Sequence, residues 1–196
     1  MTFYLAALMG CSVVNKRIAS KNTYSRDAMN EYRNDSLQMR ILFHGNTYFG
    51  NAHIKLSEIR SLFDKHAGSS PRKDVILWGE YQAARQPMYL LGSIVHDIDL
   101  SKLKEGTSDF GSTYYYVISY PNDVTLTEAF IPISGGKYVH LQEMAMYAQN
   151  DLTASTRDAE LAWKDMLRSL AVGRPVYDEA KGNNQEVTDD DLFEMK

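Results

Sequence analysis

The chain carries a single cysteine, Cys11, among 196 residues. No disulfide can therefore form within it, and cysteine usage does not separate an oxidising from a reducing compartment. Positive charge is also short: 21 basic residues stand against 25 acidic ones, for a net charge of −4. A nucleic-acid partner would want a dense Lys/Arg face to displace counterions from phosphates, so that class of partner is excluded. No apolar run approaches the roughly 18 residues of a membrane-spanning helix. Catalytic signatures are missing too. There is no Walker phosphate loop, no Gly-x-Gly-x-x-Gly and no Gly-x-Ser-x-Gly elbow; "FGSTY" and "LLGSIV" lie in strand-like text without the second glycine. Of His44, His53, His66, His96 and His140, no two are spaced i, i+4 on a helix, and no second cysteine exists for a thiolate metal site. No cofactor is expected, and the chain reads as a binder more readily than as an enzyme.

What is present fits a folded body. The chain is 44% hydrophobic and 11% aromatic, ordinary for a globular protein. A core of about 150 residues would bury roughly 70% of the unfolded surface, enough to fold without metal or disulfide.

The opening stretch, "FYLAALMGCS" (residues 3–12), admits two readings. In one, Phe3 to Met9 form a first strand and Cys11 is a small buried hydrophobe. In the other they are the apolar segment of a signal peptide covering residues 1–10, and Leu8-Met9-Gly10-Cys11 resembles the lipobox of bacterial lipoproteins. Leu8, Gly10 and Cys11 match that pattern; Met9 stands where a small residue is usual, and no Lys or Arg precedes the apolar segment. The polar text that follows suits a tether over residues 11–36 better than a core strand, because core connections are typically about 4–6 residues. The resemblance implies cleavage before Cys11, acylation of its thiol, stable anchoring by more than one chain, and, with Ser12 next, sorting to the outer membrane facing the periplasm. If the strand reading holds instead, the protein is cytoplasmic.

Alternation and turn signals predict strands over Leu37–Gly45, Val75–Tyr81, Met88–Leu100, Ser112–Tyr120 and Val124–Ser134. "YVHLQEMAMYA" follows the Ser134-Gly135-Gly136-Lys137 turn and closes a three-strand antiparallel meander. Pro132 places its strand near an edge or a bend. "SEIRSLFDKHA" reads as a helix capped by Ser57, with Ile59, Leu62, Phe63 and His66 on one stripe and Gly68 as its stop. "STRDAELAWKDMLRSLAVG" reads as a helix capped by Ser155 or Thr156. It buries Ala159, Trp163, Met166, Leu167 and Leu170, and Gly173-Arg174-Pro175 ends it. The expectation is a single α+β domain over residues 37–175: an antiparallel sheet of about five strands, one internal helix, and a C-terminal amphipathic helix packed on one face. Residues 176–196 read as an acidic tail. The element order resembles the Mog1/PsbP-like architecture, which several small bacterial lipoproteins share; that likeness carries no function by itself.

Two groups stand out as candidate sites. Asp97 and Asp99 of "HDIDL" would share one face of an extended chain and could hold a cation or a proton. Tyr114, Tyr115 and Tyr116 are consecutive, so at least one sheet face presents tyrosine, a residue suited to partner contact. Together these observations point to a non-catalytic, lipid-anchored protein that binds another protein in the periplasm. Over "AELAWKDMLRSLAVGRP" the chain resembles the immunity lipoproteins found beside type VI secretion phospholipase effectors. That resemblance implies a secreted toxin as partner and steric blockade as mechanism. The alternative is an envelope housekeeping lipoprotein that binds a lipid or small ligand or supports an assembly.

Overall fold

In the computed structural model of the chain, the described residues are 22–24, 30–43, 47–51, 54–68, 74–83, 86–121, 124–146 and 152–183. The signal segment expected over 1–10, and Cys11 itself, lie outside them. The architecture is α+β, with eleven strands in two antiparallel sheets rather than one sheet of about five.

The large sheet has the order β4-β5-β6-β10-β9-β8-β7. Its strands are β4 (Tyr48–Phe49), β5 (Asp74–Ala83), β6 (Gln86–Val95), β7 (Lys104–Thr107), β8 (Thr113–Ser119), β9 (Val124–Ile133) and β10 (Lys137–Met146). The expected meander is β8–β9–β10, with Tyr115 opposite Phe130 and Lys137 opposite Ile133. β5 and β6 pair as far as Ala83 opposite Gln86, so both run closer to their connection than the expected strand ends at Tyr81 and Met88. Although β9 is an interior strand, Pro132 lies beyond its last pairing with β8, where a missing N–H breaks no ladder on that side.

The small sheet was not anticipated as a separate sheet, although the strand expected over Leu37–Gly45 is one of its members. Its order is β1-β2-β3-β11, from β1 (Asn22–Tyr24), β2 (Asn30–Asn34), β3 (Met39–Phe43) and β11 (Ala171–Val172). Residues expected to form a tether are thus part of the folded body, and Tyr32 is fully buried. The body also extends past residue 175. Helix α3 (Arg174–Asn183) occupies the start of the expected acidic tail, with Tyr177 and Ala180 buried.

Two further helices cover the large sheet on opposite sides. Helix α1 (Leu56–Ala67) is capped at Lys55, not Ser57; the Glu58 carboxylate accepts from the Lys55 backbone N–H at 3.4 Å. Helix α2 (Leu152–Arg168) starts before Ser155 and Thr156, which therefore lie inside it. It ends before Gly173, whose φ of 85° turns the chain from β11 into α3. Pro175 falls in the first turn of α3, where a missing N–H costs nothing.

Side chains alternate across the strands, so each row of the register assigns residues to a face. On the inner face, Leu77, Leu90, Ala129, Ile131, Val139 and Leu141 pack with α2 and with Tyr32, Met39 and Ile41 of the small sheet. All five residues predicted to face inward do so, four of them on α2 and Leu170 just past its end, and Trp163 is fully buried. On the outer face, Trp78, Leu91, Leu126 and Met144 pack with Ile59 and Phe63 of α1. The molecule therefore has three layers, and α1 covers only part of one of them.

Candidate functional site

The acidic pair does not form a site. β6 ends at Val95, and Asp97 sits at φ 55°, in the left-handed region, so the extended geometry that would align two carboxylates is gone. Asp99 caps the short 3₁₀ turn Leu100–Lys102, accepting from the Ser101 N–H at 3.0 Å. The hydrogen bonds from Ser101 hold its carboxyl below the usual range. Both aspartates are exposed, and among the described residues no group of three or more His, Cys, Asp or Glu is placed to hold a metal.

The three tyrosines divide between the faces, as strand alternation requires. Tyr114 and Tyr116 point inward, with ring centroids 6.0 Å apart. Tyr114 belongs to the inner core and Tyr116 packs against it. The Tyr114 ring lies over Gly106 of β7, where an added Cβ would come within 2.5 Å of ring atoms. Gly106 is the absence of a side chain that admits the ring. Tyr114 is therefore consumed by packing, and Tyr115 alone points to the outer face, half-buried.

The structure assembles three polar clusters that sequence reading did not. On the inner face Glu143 is 1% exposed, and Tyr81 donates to its Oε2 at 2.5 Å. Burial pushes the Glu143 carboxyl up to about 8, the Tyr81 hydrogen bond working in the opposite direction. Glu143 is thus a neutral acid at pH 7. Its Oε1, the Thr125 hydroxyl and the Trp163 indole N–H are buried with no hydrogen-bond partner among the described residues. The outer face of the small sheet, beneath α3, holds Glu31 between Arg33 and Arg40, the last 1% exposed and 3.4 Å from the Glu31 carboxylate. Burial, then the charge of Arg33, lowers the Arg40 pKa. Tyr177 of α3 closes this edge by donating to Asp35 at 2.6 Å.

The third cluster lies on the outer face of the large sheet. Glu128 Oε1 accepts from Gln142 Nε2 at 2.9 Å and lies 2.9 Å from His140 Nε2. The His140 ring stacks on Phe130, with centroids 4.3 Å apart and planes 10° from parallel. Ser93 stands directly opposite His140 across β6–β10. Serine, histidine and glutamate are residue types of nucleophilic catalysis, yet the hydroxyl here is not presented. Ser93 is 1% exposed in mid-strand, whereas a nucleophile belongs on a strand end or sharp elbow. The cluster works as a polar seam that satisfies buried donors. A sequence signal existed for it: once the Ser134–Gly136 turn fixes the β9–β10 register, Glu128, His140 and Gln142 fall on one face.

Comparison of the chain with protein-family models, with curated proteins and with solved structures finds no match. The functional reading accordingly rests on the residues themselves.

Proposed function

We propose that this protein is a non-catalytic, lipid-anchored protein of the periplasmic space, held to the outer membrane through Cys11, whose α+β body binds another protein. In its most specific form the partner is a secreted antibacterial effector of the phospholipase type, which the body blocks sterically. The observation that carries the binding half is Tyr115, half-buried on a sheet side where it joins neither core cluster. Tyrosine combines large contact area with few rotatable bonds, which suits a recognition surface. The anchoring half is supported by Leu8-Met9-Gly10-Cys11. An anchor would raise the effective concentration of the binder at the membrane where such an effector acts. The Ala159–Pro175 segment supports the immunity reading through its resemblance alone, since Trp163, Met166, Leu167 and Leu170 are core residues rather than contact residues. The Mog1/PsbP-like likeness is an analogy of element order and adds no function to the proposal.

Intact mass and membrane fractionation of the full chain against Cys11→Ser, expressed in a lipoprotein-processing bacterium, test the anchor. The proposal expects loss of residues 1–10, added acyl mass, and release of the serine variant from the membrane. An uncut, soluble protein in both cases contradicts it.

A further inference from the structure

Among the described residues, the outer face of the large sheet is covered by α1, and only toward β5, β6 and the far ends of β9 and β10. The remaining half, over β7–β10, has its own composition. Tyr115 and Val117 of β8, Phe130 and Pro132 of β9 and Tyr138 of β10 share this face by register. All five are half-buried, and none belongs to either core cluster or packs against one. The same strands bring Glu105 and Glu128 to this side, opposite Tyr115 and Val117, and no lysine or arginine: Lys104 and Lys137 fall on the inner face with Tyr116 and Ile133.

Building on the protein-binding reading above, we infer that this half-face is the docking surface and that its occupant is a partner protein presenting lysine or arginine among apolar residues. Aromatic rings attract a cation over their faces, and the exposed Glu105 carboxylate offers an ion pair that steers the approach of a basic surface, Glu128 being engaged by Gln142 and His140. Two strand spacings of about 4.8 Å, from β8 to β10, make the aromatic patch roughly 10 Å wide. That matches the central anchor cluster of a standard interface of about 800 Å² per partner, with the rim supplied by the exposed edge around β7. A lipid surface fits poorly, because two carboxylates would face anionic headgroups.

The test places a photocrosslinker in the full chain in its native host, as Tyr115→p-benzoylphenylalanine, with Thr107→p-benzoylphenylalanine, exposed on the same face of β7, as a second probe that disturbs no buried group and keeps Glu105. Lys164→p-benzoylphenylalanine, on the exposed side of α2, is the control. The inference expects one heterologous adduct from the two sheet probes and none from the control. It also expects the cross-linked partner peptide to contain lysine or arginine, and the Tyr115 adduct to fall at least tenfold with Glu105→Lys. An adduct of twice the chain's own mass, a lipid adduct, or an adduct indifferent to Glu105→Lys overturns it. An adduct from the control alone overturns this surface and leaves the binder reading standing. No adduct from any probe overturns both.

Discussion

The two faces of the large sheet are built from the same strands by the same alternation, yet they are spent differently. The inner face is closed. Helix α2 and the small sheet cover it, its core is mainly apolar, and its buried carboxyl, Glu143, is held as a neutral acid. Among the described residues the outer face is closed only beneath α1; beyond it stand aromatic side chains, the exposed Glu105 and the His140–Glu128–Gln142 seam. Stability concentrates on the face that α2 and the small sheet close, and the proposed recognition falls on the half of the other face that α1 leaves uncovered. An antiparallel sheet can afford this, because unlike an all-parallel sheet it tolerates one wet side.

The sharpest way to break the comparison is to attack the closed face. Trp163→Ala removes a fully buried side chain from the α2 interface and is expected to cost about 3–5 kcal/mol. Calorimetry should show the midpoint falling on the order of 10 °C for a chain of this size.

Next in size is Glu143→Gln, read against pH. In the unfolded chain the carboxyl loses its proton near its ordinary 4.5, whereas the folded protein keeps it to about 8. The folded state therefore binds more protons in that window, and stability falls as pH rises across it, by about 1.4 kcal/mol per pH unit for this group. Below the window the contribution is fully present; above about 8 the loss levels off. Denaturant titrations at pH 5 and pH 8 should find the wild type losing more stability between them than Glu143→Gln does. Equal losses would show that Glu143 ionises freely in the fold.

Smaller still is Gly106→Ala. The new Cβ would meet the Tyr114 ring at 2.5 Å, and a displaced ring is expected to cost about 1–3 kcal/mol, as overpacking does. Its urea midpoint should drop without a change in slope.

The comparison also marks what could be read from the sequence. The β8–β9–β10 meander was legible because turn residues flank each strand. The buried stripe of α2 was legible because its apolar spacing is regular and its face is uniform. The small sheet was not. In β2, "NEYRN", Tyr32 packs inward while Glu31 and Arg33 pair beneath α3, so a buried strand reads as polar linker. β7, "KEGT", hides for the opposite reason: it is an exposed edge, and charge there blunts unwanted pairing. The acidic pair at Asp97 and Asp99 misled because alternation holds only while the chain stays extended, and it leaves the strand at Val95. The polar seam depended on a register that only the turn geometry fixes.

The central claim, that one face holds the fold and the other is free to recognise, is tested most directly by two adjacent tyrosines. Thermal unfolding of Tyr114→Ala and Tyr115→Ala compares neighbours on one strand that point to opposite faces. The account predicts a loss of about 3 kcal/mol for Tyr114→Ala, as for a buried aromatic. For Tyr115→Ala it predicts no more than about 1 kcal/mol, the scale of a cross-strand pair. A Tyr115→Ala variant as destabilised as Tyr114→Ala would show that the outer half-face is core after all, and the division of labour would fall with it.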